Sequence, residues 1–293
     1  MPSLRSSPAK SARAKEGHIA LCLGVYILFL AVSGFAEGIR SLPWWYQLCL
    51  AVILVVTLVS LAFTHLTDPG SLKPQPLEDP LIRQLEEGIA ETQDSYNYVK
   101  DSKGQWMRTP SGRKCQEKYC NTCHIWRTPR ASHCNTCGLC MERFDHHCGV
   151  VGNCVALANH RFFVSMLWWG WAGCALLLAG VIWRLRRLGF PSDETWRNAE
   201  TYILFILGFV YFYNCFLILF AVAHCGSILC DVTTKELVST RGTEFESLDP
   251  PCCGTRTPCN LSRAWARICC APVAWRQSWS AKGVADSPQQ DAI

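Results

Sequence analysis

Seven cysteines and four histidines fall between Cys120 and Cys154, within thirty-five residues of a 293-residue chain. Thiolate and imidazole are the ligands of structural zinc sites, where four of them surround the ion in a tetrahedron. Two Cys₃His sites would use six cysteines and two histidines, which leaves one cysteine over. A thiol that is not bound to metal can act as a nucleophile, and the run Asp145-His146-His147-Cys148 places a carboxylate, two imidazoles and a thiol together.

The strongest metal signal is a repeated Cys-x₂-Cys pair. Cys120 with Cys123, and Cys134 with Cys137, have the spacing of zinc-knuckle half-sites, because two intervening residues let both thiolates reach one ion about 2.3 Å away. The other four ligands must come from six further side chains. These are His133, Cys140, His146, His147, Cys148 and Cys154. Spacing alone does not say which two of the six stay free.

A longer pattern encloses these pairs. It begins at Tyr119, continues through Arg127-Thr128-Pro129-Arg130 and the Asp-His-His-Cys run, and ends with Asn159 and Phe163. In residue type and spacing it resembles the cysteine-rich domain of the DHHC protein S-acyltransferases, with about a dozen positions in agreement. The resemblance implies two interleaved zinc sites. One is formed by Cys120, Cys123, His133 and Cys140, and the other by Cys134, Cys137, His147 and Cys154.

Two flanking motifs extend the resemblance over most of the chain. Asp68-Pro69-Gly70 follows one hydrophobic segment and Thr233-Thr234-Lys235-Glu236 follows another, as the DPG and TTxE motifs do in that family. The chain departs from the family at Gly149-Val150, where Pro-Trp is usual, and at Ala156, which replaces a usual glycine. These departures concern local loop geometry and acyl-chain contacts and leave the ligand set intact.

The family activity would move a fatty acyl group, palmitoyl above all, from coenzyme A to substrate cysteines through an enzyme thioester. Cys148 would be the nucleophile of this protein-cysteine S-palmitoyltransferase. Because a free thiol has a pKa near 8.5, it needs a basic or cationic neighbour, and His146 is the candidate. Asp145 would accept a hydrogen bond from that imidazole and fix its tautomer. Both zinc ions would be structural, since four protein ligands leave no open position.

The acyl-CoA substrate has a phosphate-bearing part that stays in water. Arg127 and Arg130 lie between the two zinc half-sites and would complement those phosphates, although solvated arginines beside a zinc loop are the plainer interpretation. The acyl chain itself is insoluble in water. We expect it to lie between membrane helices, next to the small residues Gly170 and Gly173, although these glycines equally fit close packing of the helices.

Composition predicts a membrane protein, since 49% of the residues are hydrophobic and 17% are charged. Four uncharged stretches approach the roughly 20 residues that a helix needs to cross the hydrocarbon core. They run from Ile19 to Ala36, from Gln47 to Leu66, from Phe162 to Ile182 and from Ile203 to Ala223. The first stretch is longer than the apolar core of a secretory signal and is interpreted as a retained anchor.

The predicted fold class is an α-helical membrane protein with four transmembrane helices and a small cytosolic cysteine-rich double-zinc domain between the second and the third. The expected divisions are a cytosolic arm without fixed structure at 1–18, helices 1 and 2 within 19–66, a polar linker with one short helix at 67–114, the zinc domain at 115–161, helices 3 and 4 within 162–230, and a cytosolic tail at 231–293.

The distribution of positive charge sets the expected topology. With both termini and the middle loop in the cytosol, 23 of the 28 Lys and Arg residues lie on the cytosolic side, which fits the positive-inside rule. The active site would then face the cytosol of an endomembrane, the Golgi or the endoplasmic reticulum. The expected partners are the lipid bilayer, acyl-CoA and proteins with membrane-proximal cysteines. A net charge of +5, spread among acidic residues, predicts no nucleic-acid surface.

The sequence leaves two alternatives open, one for the function of the chain and one for the role of its tail cysteines. The first is a membrane-anchored zinc module that binds partners and catalyses nothing; the surplus cysteine within Asp-His-His-Cys argues against it. The second concerns Cys252, Cys253 and Cys259 in the tail, which are candidates for S-acylation or for further zinc ligation. A helix lying in the membrane interface is expected from Leu261 to Trp279.

Overall fold

The computed structural model describes residues 8–34, 42–88, 92–93, 96–101, 103–111, 116–192, 198–230 and 232–239. Its helices are α1 Pro8–Gly34, α2 Trp44–Leu66, α3 Pro80–Glu86, α4 His160–Arg187, α5 Ala199–Asn214, α6 Leu217–Leu229 and α7 Thr234–Ser239. Its strands are β1 Ser71–Leu72, β2 Thr92–Gln93, β3 Tyr96–Lys100, β4 Trp106–Pro110, β5 Glu117–Cys120, β6 Ile125–Trp126, β7 Ser132–Cys134, β8 Leu139–Met141, β9 His146–Cys148 and β10 Asn153–Val155.

Among the residues that the structure describes, three helical stretches are long and apolar enough to cross a membrane. They are α2, α4 and the stretch Ala199–Leu229, which α5 and α6 form together. The other predicted span falls in α1, where the apolar part, Ile19–Ser33, is shorter than a full membrane crossing. The chain thus has the architecture of a multi-pass helical membrane protein, while the count of four spans stays a prediction.

The helices pack around α4, which contacts α1, α2, α5 and α6. A buried cluster in this bundle joins Leu50 of α2, Leu177 and Val181 of α4, and Leu204 and Tyr211 of α5. Lipid tails are as apolar as these side chains, so close van der Waals packing rather than exclusion of water holds such a bundle together.

The last span is interrupted between α5 and α6. There the backbone N–H of Phe216 donates to the carbonyl oxygen of Tyr213 at 3.2 Å, a three-residue spacing that tightens the turn. The Asn214 amide beside this turn donates to the hydroxyl of Tyr26 on α1 at 3.0 Å. This contact is a hydrogen bond between two membrane helices, and the interruption beside it was not predicted.

The linker at 67–114 is more ordered than the sequence suggested. The expected short helix is α3, which begins with Pro80 and has Asp79 as its N-cap, accepting from the backbone N–H of Leu81 at 3.0 Å. However, β2, β3 and β4 also join β5 and β6 in a five-stranded antiparallel sheet, and β1 joins β8 and β7. The prediction of a tether was wrong in this respect, because β2, β3 and β4 pair in sequence, and β4 and β1 also pair with β5 and β8 later in the chain.

The arm before the first span was also predicted wrongly in part, since α1 already begins at Pro8. Alanine, lysine and arginine in this arm are good helix formers, and a helix that is nucleated in the apolar segment extends through them at little cost. The predicted interfacial helix and the cysteines Cys252, Cys253 and Cys259 lie outside the described residues, as does the rest of the tail beyond residue 239.

The buried amide of Asn153 joins the end of α2 to the zinc-site region. Nδ2 of Asn153 donates to the carbonyl oxygens of Thr64, His65 and Thr67 at 3.1, 3.2 and 2.9 Å. The last carbonyls of a helix have no partner within it, so Asn153 satisfies groups that would otherwise be buried unpaired.

The Asp68-Pro69-Gly70 motif forms the turn that follows. One carboxylate oxygen of Asp68 accepts the backbone N–H of Gly70 at 2.8 Å and that of Ser71 at 2.7 Å. Gly70 has φ of +101°, which residues with a Cβ rarely adopt, and its carbonyl accepts the N–H of Glu142 at 2.8 Å. The motif therefore directs the chain from α2 into β1 of the zinc-site region.

Candidate active site

Eight cysteine and histidine side chains form two tetrads. The first contains Cys120, Cys123, His133 and Cys140, and the second contains Cys134, Cys137, His147 and Cys154; within each, the four ligand atoms lie within 4.8 Å of one another. The structure thus brings together the two sets that the family resemblance implies. Every cysteine in them is buried.

The distances within each tetrad fit a zinc tetrahedron. Zn–S bonds of about 2.3 Å and Zn–N bonds of about 2.0 Å give sulfur-to-nitrogen edges of about 3.6 Å. Nδ1 of His133 lies 3.6, 3.4 and 3.8 Å from its three sulfur atoms, and Nδ1 of His147 lies 3.6, 3.5 and 3.4 Å from its own. Both sets of residues therefore match a tetrahedral Cys₃His ion in donor type and size.

Antiparallel hairpins position these ligands. His133 on β7 lies directly opposite Cys140 on β8, and Cys154 on β10 lies directly opposite His147 on β9. Opposed residues on paired strands have Cβ atoms about 5 Å apart, which suits two ligands of one ion. Each Cys-x₂-Cys pair completes a tetrad from a turn.

Strand β9 also explains how two neighbouring histidines take different roles. Successive side chains of a strand point to opposite faces, so His147 faces the second tetrad while His146 and Cys148 face the other way. Cys148 is half-buried and belongs to neither tetrad. The count of ligands left one cysteine over, and the family resemblance implied that it is Cys148.

Cys148, His146 and Asp145 are linked by hydrogen bonds. Nδ1 of His146 donates to Oδ2 of Asp145 at 2.8 Å, which leaves Nε2 of the same ring to exchange a proton. The imidazole also hydrogen-bonds the Cys148 thiol. The carboxylate of Asp145 is 1% exposed and accepts the backbone N–H of Thr234 on its other oxygen at 2.8 Å.

These contacts shift the ionisation of all three groups. Burial favours the neutral thiol of Cys148, but the hydrogen bond with His146 and the backbone N–H groups of Val151 and Val150 lower its pKa overall. Burial likewise disfavours a charged His146, yet Asp145 and Cys148 raise its pKa to about 9. Asp145 has a pKa below its usual value, because its hydrogen bonds outweigh its burial. The arrangement favours a thiolate–imidazolium pair.

This pairing predicts the pH dependence of Cys148 alkylation. A thiol is mostly thiolate above its pKa, and iodoacetamide reacts with the thiolate. We therefore expect the alkylation of Cys148 to reach half its maximal rate at a pH below the ordinary thiol pKa of about 8.5. In His146→Ala the midpoint should rise, because burial remains while the imidazolium is lost. Peptide-resolved mass spectrometry across the neutral range measures both proteins, and a wild-type midpoint above 8.5 would contradict the pairing.

The Thr233-Thr234-Lys235-Glu236 motif is a capping box at the start of α7. Glu236 accepts the backbone N–H of Thr233 at 2.8 Å, and the Thr233 hydroxyl accepts that of Glu236 at 3.2 Å. The Thr233 hydroxyl thus caps the start of this helix. The cap also presents the Thr234 N–H to Asp145.

The two arginines predicted to meet coenzyme A phosphates lie in different surroundings. Arg130 forms a forked ion pair with Glu236, with its Nε and Nη2 atoms 2.7 and 2.9 Å from the two carboxylate oxygens. Arg127 donates to the side-chain oxygen of Gln105 at 2.9 Å. Arg130 therefore joins the zinc loop to α7, a role that the sequence did not reveal, and phosphate binding by both residues stays a prediction.

An apolar cavity of about 880 Å³ leads from this site into the bundle. Its walls include Cys148 and His146 from β9 and, from the bundle, Leu30, Leu50 and Leu177. Gly170 and Gly173 of α4 line it as well. This volume lies within the range of small-molecule pockets, and its lining suits a hydrocarbon chain.

Two further histidines lie near Asp145. Ring nitrogens of His160 on α4 and His224 on α6 lie 3.3 Å apart, and Nδ1 of His224 lies 3.9 Å from Oδ2 of Asp145. Sequence reasoning missed both. The only signal was a lone histidine within a hydrophobic segment and another at a helix start, and neither pattern distinguishes a site residue from a packing residue.

The fold is that of a multi-pass membrane protein. Its two metal-binding tetrads support Cys148, His146 and Asp145 at the mouth of a cavity between the membrane helices, and these features define the class of protein. Residues 113–241 match the family model described as DHHC palmitoyltransferase. The chain is 28% identical over 166 residues to "Palmitoyltransferase ERF2" of Eremothecium gossypii, an alignment that covers 56% of this chain and 40% of the relative. Residues 113–241, less than half of the chain, therefore resemble a DHHC palmitoyltransferase domain.

Proposed function

We propose that this protein is a protein-cysteine S-acyltransferase that transfers a long fatty acyl group, palmitoyl above all, from acyl-CoA to substrate cysteines. One observation carries the proposal: Cys148 lies outside both tetrads, hydrogen-bonds His146, and opens onto an apolar cavity. A zinc module that only binds partners needs neither an activated thiol nor a cavity behind it.

In the first step the Cys148 thiolate attacks the carbonyl carbon of acyl-CoA. A new thioester forms on Cys148 and the carbon–sulfur bond to coenzyme A breaks. The leaving thiolate takes the proton held by His146, which becomes neutral. Asp145 keeps the ring oriented through its 2.8 Å hydrogen bond.

In the second step the substrate cysteine gives its proton to the neutral His146 and attacks the thioester. Cys148 leaves as a thiolate and again pairs with the imidazolium, so protons and acyl groups balance over the cycle. While the acyl group waits, its hydrocarbon tail occupies the cavity and stays out of water.

Two zinc ions, bound by the two tetrads, would have a structural role. Four protein ligands around each ion leave no position for substrate. Their effect is on β9: His147 is held by the second tetrad, and the strand therefore presents His146 and Cys148 to the bundle.

The chain-length preference should depend on Gly170. A Cβ at this glycine would lie 3.8 Å from Leu217 and 3.9 Å from Thr57, which are ordinary contacts, so a larger side chain can be accommodated and would extend into the cavity. Suppose that the leucine of Gly170→Leu displaces two methylenes of the acyl chain from the cavity. Because the burial of each methylene is worth about 0.8 kcal/mol, the preference among acyl-CoA donors should shift about 15-fold toward shorter chains. Competition among fourteen-, sixteen- and eighteen-carbon acyl-CoA measures this shift.

Gly170→Ala is the matched control and should leave the ranking close to wild type. Gly173→Phe is a less clean test, because even a Cβ at Gly173 would lie 3.2 Å from Ile53 and press α2 and α4 apart. An unchanged ranking in a fully loading Gly170→Leu protein would mean that the acyl chain does not pass this glycine.

The proposed topology places both termini and the active site in the cytosol, with α1 as a fourth span. Tags at residue 1, near Pro80 and at residue 293 should be accessible in selectively permeabilised cells, while a tag near Asp193 should be protected. Protection of the Pro80 tag would overturn this topology and the access of Cys148 to cytosolic acyl-CoA.

The proposal places the protein in an endomembrane, with substrates that carry cysteines close to the bilayer. Its test is turnover by the purified protein in detergent or vesicles: palmitoyl-CoA should yield free coenzyme A together with acylated acceptor peptide. The control is the same peptide with serine in place of cysteine. The scaffold alternative predicts that coenzyme A is not released above the hydrolytic background.

A further inference from the structure

Three histidines from three elements surround the Asp145 carboxylate. His146 comes from β9, His160 from the start of α4, and His224 from α6. The rings of His146 and His224 have centroids 5.6 Å apart, and Phe163 packs edge-on against both, at 5.4 and 5.0 Å. The catalytic imidazole is therefore packed beside a residue of a membrane helix.

The contacts of Asp145 show why His224 matters. A buried carboxylate is costly unless every side of it is compensated. Oδ1 accepts the Thr234 N–H, and Oδ2 accepts from His146 at 2.8 Å while Nδ1 of His224 lies 3.9 Å away. At that distance His224 packs beside the carboxylate without forming a hydrogen bond to it, so Oδ2 stays available to accept the proton that His146 donates.

His224 is itself held in place. Its Nδ1 atom lies 3.3 Å from Nε2 of His160, whose ring is fully buried. Nδ1 of His160 has no hydrogen-bond partner among the described residues. Within this part of the chain, the His160 ring is therefore hydrogen-bonded through Nε2 to His224 alone. Polar atoms of Asp145, His146 and His224 lie close enough together to hold a metal ion. However, the 2.8 Å distance between Nδ1 of His146 and Oδ2 of Asp145 is that of an ordinary N–H···O hydrogen bond.

We propose that His224 is a positioning residue of the active site. It fixes Asp145, and through Asp145 the ring of His146, so the geometry around Cys148 depends on α6 of the membrane bundle as well as on the zinc loop. The kinetic part of this inference rests on the proposed acyltransferase activity, whereas the positioning itself does not.

The test compares His224→Leu with His224→Asn. The Asn amide nitrogen takes nearly the place of the histidine Nδ1, so it can keep the contacts that Leu loses. His224→Leu should lower kcat for acyl loading by about 10- to 100-fold, the loss usual when a group that orients a functional imidazole is removed, with KM for palmitoyl-CoA little changed. His224→Asn should recover most of that loss.

Cys225→Ala is the control on the same helix, since Cys225 meets the Trp168 indole instead of Asp145. It should load at close to the wild-type rate, and zinc content should be two ions per chain in all three variants. Wild-type kcat in His224→Leu, or equal losses in the Leu and Asn variants, would overturn the positioning role.

A second readout separates this inference from the proposed function. The rate at which iodoacetamide alkylates Cys148 at one fixed pH reports how well His146 is placed, whether or not acyl transfer occurs. It should fall in His224→Leu and stay near wild type in His224→Asn. If the wild-type protein never accepts an acyl group, the proposed function fails, and the alkylation series still decides the role of His224.

Discussion

Cys148→Ser should abolish acyl loading from palmitoyl-CoA and leave two zinc ions bound per chain. Serine has nearly the shape of cysteine, but its hydroxyl stays protonated at neutral pH and lacks the thiolate that attacks a thioester. Cys148 belongs to neither tetrad, so its replacement removes no metal ligand. Radiolabelled palmitate bound to the protein and zinc measured by mass spectrometry on one preparation give both values.

His146→Ala is the companion variant. General acid–base catalysis contributes about 10²- to 10⁴-fold, so loading should fall by that factor while zinc content remains unchanged. A loss of one zinc ion in Cys148→Ser would instead make Cys148 a ligand. Residual loading near the wild-type rate would mean that another thiol carries the acyl group.

Cys134→Ala should unfold the second tetrad. A structural Cys₃His zinc site contributes about 10–16 kcal/mol of apparent binding free energy, which is comparable to the whole stability of a typical domain. Cys134 is buried beside Cys137, His147 and Cys154, so the variant should lose one zinc ion and the protease resistance of the region around β7 to β10. Activity should be lost as a consequence.

His146 and His147 allow a matched test of the zinc-ligand assignment. His147→Ala should cost one zinc ion, whereas His146→Ala should cost none, although the two residues are adjacent in the sequence. Wild-type zinc content and wild-type protease resistance in Cys134→Ala, or zinc loss in His146→Ala, would show that the ligand sets are assigned wrongly.

The Cys-x₂-Cys half of each tetrad could be anticipated because metal-ligand spacing is a local property, whereas the other two ligands of each tetrad were implied by the family resemblance. The Cys-x₂-Cys pairs are visible in the chain, and the family resemblance separates His147 from His146. The physical reason for that separation became apparent only in the structure: adjacent residues on β9 face opposite sides, and Cys154 lies across from His147. Asp145, His146 and Cys148 lie together because they fall within four residues and because His146 and Cys148 share one face of β9.

Contacts between distant parts of the chain could not be anticipated in the same way. Arg130 and Glu236 are more than a hundred residues apart, and neither residue type nor local spacing indicates their ion pair. His224 is a single polar residue in an apolar segment, a pattern that packing residues share. The strands of the linker pair with β5 and β8, and short polar strands of this kind have weak periodicity.

The membrane helices, too, could be predicted from the sequence only in part. Hydrophobic runs indicated the helices α2 and α4, since the bilayer requires a minimum apolar length, while the exact positions of the spans stay predictions. The turn between α5 and α6 escaped detection because its residues are as apolar as their neighbours. Such a turn is tolerated at membrane depth where it lines a cavity, and Asn214 beside it does so.

The central claim is that Cys148 carries the acyl group. Purified protein incubated with palmitoyl-CoA should be digested and analysed by mass spectrometry before and after hydroxylamine, which cleaves thioesters. We expect a palmitoyl mass on the peptide that contains Cys148, removed by hydroxylamine and absent from Cys148→Ser. An unmodified Cys148 in protein that retains both zinc ions would contradict the claim and favour the non-catalytic zinc module.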